Sequence, residues 1–137
     1  MANSPTFKRI NLCVADLERS LGFYCGQLGL TEAFRMHNDD GKLWIVYLRI
    51  SDSDFIELFP IDEGDQAAPP QGVGYAHTCL RVDDLEATVR EMEARGHEPS
   101  DTIRKGRSGC VQYWVTDPDG NRIELMQVLP DSLQATS

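Results

Sequence analysis

The chain has 137 residues, 41% hydrophobic and 26% charged, which suits one folded domain or two small modules sharing a core. Its net charge of −9 argues against nucleic acid or an anionic membrane as partner, since gripping phosphates needs a basic stripe. No apolar run approaches the ~18 residues of a membrane helix, no secretory leader pattern opens the chain, and Cys13, Cys25, Cys79 and Cys110 show no CxxC pairing, so a cytoplasmic protein with reduced thiols is expected.

The first predicted element is a strand in which Ile10, Leu12 and Val14 alternate with Arg9, Asn11 and Cys13. Asp16 suits a helix N-cap, Leu17, Leu21, Tyr24 and Leu28 follow at helical spacing, and Gly29 is the stop. Three strands are expected next, over Thr31–His37, Leu43–Ile50 and Asp54–Phe59, separated by turn formers at 38–41 and 51–53. Residues 61–73, with two prolines and several acids, read as a linker. The same order then returns. Thr78, Leu80 and Val82 make a strand, Asp84 a cap, and Leu85, Val89 and Met92 a helix ending at Gly96. Strands are expected over Glu98–Ile103, Val111–Thr116 and Arg122–Val128, and residues 130–137 as a flexible tail.

The return is a duplication. An offset of 68 carries Leu12 to Leu80, Val14 to Val82, Asp16 to Asp84 and Leu17 to Leu85. An offset of 67 carries Gly29 to Gly96 and Ile56-Glu57-Leu58 to Ile123-Glu124-Leu125. Coincidences at nearly constant spacing define a repeated supersecondary unit. The chain therefore reads as α+β, with βαβββ modules at 5–60 and 74–129 joined by the linker.

Side-chain parity then selects candidate functional residues. If the aliphatics of the first and last strands face the helices, Arg9, Asn11, Glu57, His77 and Glu124 face the opposite, helix-free side. An imidazole and two carboxylates converging there can hold a divalent metal, and paired carboxylates can also act as general acid and base. Phe55 and Phe59 share Glu57's parity and can form apolar walls for a ligand, or pack against another module. Arg35 and Arg49 are possible anion contacts. His37 reads as a solvated hairpin residue, and His97 as a residue at a helix C-terminus, where positive charge is favourable.

Arg9-Ile-x-Leu-x-Val, Ser20-x-x-Phe23-Tyr24 and Leu28-Gly-Leu30, with the closing Asp117-Pro-Asp-Gly120 and Ile123-Glu124-Leu125, resemble the signatures of the glyoxalase I/bleomycin resistance/extradiol dioxygenase (vicinal oxygen chelate) superfamily. The resemblance covers nearly the whole chain. It implies a cupped, half-barrel-like mixed sheet with helices outside, and a glyoxalase I-like lyase or isomerase working through a metal-stabilised enediolate. It further implies a small oxygenated substrate, a homodimer, and a divalent ion (nickel, zinc, manganese or iron) on Glu57, His77 and Glu124. Glu57 and Glu124 are the implied proton carriers, with Arg9, Asn11, Phe55 and Phe59 toward substrate. Arg9 stands where the family usually has His or Gln, and a guanidinium offers a metal no lone pair. Three outcomes stay open: a three-ligand metal site, an Arg9–Glu57 pair replacing the metal, or an Arg9 that grips an anionic substrate group. The alternatives to a lyase are a metal-free binding protein of the resistance type and a ring-cleaving dioxygenase, the latter disfavoured because only His77 occupies a ligand position.

Overall fold

In each half of the chain the first and last strands lie side by side and parallel, and the two middle strands add to them antiparallel. The computed structural model describes residues 4–61 and 73–137, and the chain divides into two units, Met1–Ala67 and Ala68–Ser137. In the first, β1 (Arg9–Val14), β2 (Thr31–His37), β3 (Leu43–Arg49) and β4 (Phe55–Pro60) form a sheet of order β1-β4-β3-β2. In the second, β5 (His77–Arg81), β6 (Arg104–Lys105), β7 (Val111–Thr116) and β8 (Arg122–Gln127) form a sheet of order β5-β8-β7-β6. The two expected βαβββ modules of an α+β fold are present. Most of the expected linker, residues 62–72, lies outside the described residues. No helix among the described residues is long and apolar enough to cross a membrane.

Each core follows from the alternation in the sequence. Leu12 and Val14 of β1, Val46 and Leu48 of β3, and Ile56 and Leu58 of β4 are buried in the first unit. Tyr113, Val115, Ile123 and Leu125 are their counterparts in the second. Against that second face lies α2 (Leu85–Ala94), burying Leu85, Val89 and Met92. Its N-cap is Asp84, whose carboxylate accepts from the Ala87 amide at 3.0 Å; Asp16 accepts from the Arg19 amide at 3.2 Å in the first unit. Caps of this kind each contribute about 1 kcal/mol. Gly29 and Gly96 both adopt positive φ, 87° and 100°, a backbone that a side chain would strain, and so end both helical segments at equivalent places.

The first helix departs from the expected regular course to Leu28. The α-helix α1 (Leu17–Leu21) widens into a π-helical stretch over Gly22–Gln27, where the Leu28 amide bonds the Phe23 carbonyl, five residues back, at 2.8 Å. Gly22 and Gly26 are weak α formers. The wider turn lets the adjacent Phe23 and Tyr24 both be buried, their rings edge-to-face at 4.9 Å.

Two further expectations need correction, and the place of His97 gains a partner. The strand expected at Glu98–Ile103 is reduced to Arg104 and Lys105. Pro99 has no amide to give a ladder, and side chains satisfy the β7 edge instead: Ser100 Oγ donates to the Trp114 carbonyl at 2.8 Å and the Trp114 amide donates to Asp101 Oδ2 at 3.0 Å. His97 does lie at the C-terminal end of α2, its amide donating to the Met92 carbonyl at 2.9 Å, and it is buried there with its Nε2 3.0 Å from the Tyr113 hydroxyl. The last eight residues, expected as a flexible tail, carry α3 (Leu133–Thr136) behind a fully buried Ser132. The Leu133 amide donates to the Ser108 carbonyl at 2.8 Å, and Cys110 Sγ donates to Gln134 Oε1 at 3.3 Å.

Burial pushes the Asp101 carboxyl up, but the amides of Thr102 and Trp114 and the Arg104 guanidinium outweigh it and hold its pKa below the ordinary value. A lowered folded-state pKa gives stability that is present above the unfolded value of about 3.9 and is lost as pH falls through the folded value. Asp101→Asn should therefore cost about 1–2 kcal/mol in urea unfolding at pH 7 and much less at pH 3. An equal loss at both pH values would remove the carboxylate from this role.

Candidate functional site

Parallel pairing of the first and last strands places residues far apart in sequence in one transverse row. In the first unit Asn11 of β1 pairs with Glu57 of β4, Glu57 with Tyr47 of β3, and Tyr47 with Phe34 of β2. Glu57 is only 5% exposed, yet it is charged on a sheet face, and its neighbours explain how that is tolerated. Arg9 forms an ion pair with Oε1 through Nε, and Asn11 Nδ2 donates to Oε2 at 3.0 Å. The Tyr47 hydroxyl faces the carboxylate from the next strand; burial, then its interaction with Glu57, raise its pKa, so it remains neutral. Arg9 thus makes the ion pair with Glu57, one of the arrangements open to it.

Aromatic rings flank this network. Phe34 stacks on Tyr47 with centroids 4.2 Å apart and planes 19° apart, and Phe55 meets both edge-on at 5.9 and 5.7 Å. Lys8 Nζ lies 5.3 Å from the Phe55 centroid and the Arg49 guanidinium 5.0 Å, both within cation–π range. Phe59 sits 6.1 Å from Trp44, farther along the strand.

The equivalent row in the second unit is Cys79, Glu124 and Trp114. Glu124 is 8% exposed and, among the described residues, has no ion-pair partner. Its neighbour is a thiol. Desolvation, then the hydrogen bond to Glu124, push the Cys79 pKa up to about 12, so the thiol stays protonated. His77, paired with Arg122 in the next row along, is exposed and sets its ring edge-to-face on Trp114 at 4.6 Å. The Arg122 guanidinium lies 4.2 Å from the same ring.

The two units therefore carry different chemistry at equivalent positions. In the first unit Glu57 Oε2 accepts from Asn11, while Oε1 is ion-paired with Arg9 but, among the described residues, has no hydrogen-bond partner. The second keeps an imidazole and an open carboxylate, the N and O donors that a borderline divalent ion takes. Within either unit, among the described residues, no three His, Cys, Asp or Glu side chains gather as a metal cluster. The implied ligands Glu57, His77 and Glu124 are divided between the units. His37 is exposed at the end of β2, and Arg35 is paired with Glu32 at 2.8 Å. Sequence reasoning missed Cys79, Tyr47 and Trp114 as members of the rows. The signal was present, since Tyr47 meets Trp114 at the offset of 67 and Asn11 meets Cys79 at 68.

Comparison with known proteins agrees with this architecture. A family model described as the Glyoxalase/Bleomycin resistance protein/Dioxygenase superfamily matches residues 6–125. The chain is 30% identical over 123 residues to a lactoylglutathione lyase of Haemophilus influenzae, covering 85% of this chain and 87% of that one. It is 28% identical over 127 residues to glutathione transferase FosA of Serratia marcescens, covering 88% and 79%. Among solved structures, a glyoxalase family protein from Enterococcus faecalis superposes with a TM-score of 0.68 at 22% identity, covering 91% of this chain and 98% of that one.

Two measurements check the site. Cys79, exposed like Cys13, should still label with iodoacetamide at pH 8 roughly a hundredfold more slowly, read by mass spectrometry, because so little of it is thiolate. Glu124→Gln should speed that labelling; equal rates for the two thiols in the unaltered protein would refute the assignment. Arg9→Gln should cost about 1–3 kcal/mol in urea unfolding, since it strands a buried carboxylate. Adding Glu57→Gln should recover part of that loss, and an additive double variant would mean the pair is not coupled.

Proposed function

The chain belongs to the glyoxalase/bleomycin resistance protein/dioxygenase superfamily, and within it we propose a lyase or isomerase of the glyoxalase I type, moving a proton beside a carbonyl of a small oxygenated substrate. The observation that carries this reading is Glu124, a buried carboxylate without an ion-pair partner among the described residues, on the same sheet face as His77. The relatives named lactoylglutathione lyase, about 30% identical over most of the chain, support the reaction class.

Proton transfer at such a carbon needs a carboxylate at the C–H bond and positive charge or a hydrogen-bond donor at the oxygen. Glu124 has lone pairs open to accept the proton, and the neutral Cys79 thiol beside it adds no competing charge. His77 lies diagonal to it, two residues before Glu124's strand partner Cys79, where an imidazole reaches the oxygen of a small molecule. A divalent ion such as nickel, zinc, manganese or iron would be held by His77 and Glu124 and would supply Lewis-acid polarisation of that oxygen. In the first unit the positive charge at the position equivalent to His77 is Arg9's own. Glu57 there is aligned by Asn11 and Tyr47, and a carboxylate's fourth lone-pair position stays open for a substrate proton.

A second reading is favoured by the Arg9–Glu57 ion pair: a metal-free protein that binds a small molecule without turning it over. Turnover separates the two. The hemithioacetal of methylglyoxal and glutathione, tried with and without added nickel, zinc, manganese or iron, should be converted to a thioester. Glu124→Gln and His77→Ala should each lower kcat/KM by about 10²-fold or more. Binding of the hemithioacetal with no conversion under any of these conditions would leave the second reading standing.

A further inference from the structure

The first unit's sheet carries two features of which the proton-transfer chemistry uses only the Tyr47 hydroxyl. One is an aromatic column with an open end. Tyr47 and Phe34 are stacked, Phe55 closes the column edge-on, and Phe34 is 44% exposed. An exposed ring at the end of a stack is where a further ring adds with least rearrangement. The other feature is a pair of cations whose charge is not cancelled locally. Arg9 is neutralised by Glu57 and Arg35 by Glu32. Lys8 instead donates to the Ser53 carbonyl, and Arg49 to the carbonyls of Asp52 at 2.7 Å and Ser51 at 3.4 Å. Among the described residues neither has a carboxylate partner, and both are held over Phe55. Two carboxylates, Asp52 and Asp54, belong to that turn, and Asp54 accepts from Ser51 Oγ at 2.7 Å. In a chain of net charge −9 these are two cations that, among the described residues, have no ion-pair partner.

Resting on the reading of a small oxygenated substrate, we propose that the substrate is an aryl-bearing oxo acid or a close analogue: its ring stacks on the outer face of Phe34 and its anionic group lies toward Lys8 and Arg49. An aliphatic acid fits the cations and leaves the ring uncovered. A neutral aryl compound fits the ring and leaves the cations without an anion. The column and the cations share Phe55 as common neighbour, which ties the two requirements to one molecule.

Calorimetric titration with three probes tests both requirements. Phenylglyoxylate carries ring and charge, pyruvate keeps the charge without the ring, and methyl phenylglyoxylate keeps the ring without the charge. Phenylglyoxylate should bind at least tenfold more tightly than either of the others. Phe34→Ala, at an exposed position, should reduce the preference over pyruvate to less than threefold. Arg49→Gln should do the same to the preference over the ester, and Lys8→Gln serves if the turn that Arg49 holds is disturbed. Phenylglyoxylate binding no more tightly than pyruvate, or a preference that survives Phe34→Ala, overturns the proposal. The two readings fail separately. Conversion of the hemithioacetal without any aryl preference sinks the aryl seat and keeps the lyase, whereas aryl preference without conversion does the reverse.

Discussion

Parallel pairing between the first and last strand of each unit is the constraint from which everything chemical in this chain follows. It joins Asn11 to Glu57, 46 positions apart, and Cys79 to Glu124, 45 positions apart, in rows one strand spacing wide. A parallel pair requires a crossover, and the helical segment between the first and second strands begins it. The two antiparallel strands then return the chain so that the fourth lies beside the first. Because side chains alternate across a strand, the same pairing sends Ile56, Leu58, Ile123 and Leu125 into the core and leaves the two glutamates on the other face. A one-residue slip in either register would bury the carboxylates among aliphatics, so packing of the core also fixes the site.

Burying a carboxylate on a sheet face has a desolvation cost, and the two units meet it differently. The first surrounds Glu57 with a cation, an amide and a phenol, which fixes the geometry. The second leaves Glu124 with a thiol and without an ion pair among the described residues, and sets its cation, Arg122, over Trp114. The two copies supply equivalent frames that differ at three positions: Arg9 against His77, Asn11 against Cys79 and Tyr47 against Trp114.

Local polar satisfaction also explains where the second unit departs from regularity. The edge of β7 has Ser100 and Asp101 side chains where a full strand would sit, and the residues after β8 turn back over Cys110 instead of leaving the surface. In both places backbone or buried groups find partners without a ladder. These substitutions are visible only once the strands are in place, since each depends on a partner more than ten positions away.

The sequence by itself determined the duplication, the order of elements, the caps at Asp16 and Asp84, the stops at Gly29 and Gly96, and the face on which Glu57 and Glu124 lie. All of these rest on short-range periodicity or on identity between two copies, which one chain displays without its fold. Only the tertiary structure decided that Arg9 pairs with Glu57, that Tyr47 and Asn11 complete its shell, that Cys79 rather than a cation faces Glu124, and that His97 is buried against Tyr113. The physical reason is common to all four. A side chain's partner across a sheet is chosen by register and rotamer between distant strands, and nothing in the local sequence encodes that choice.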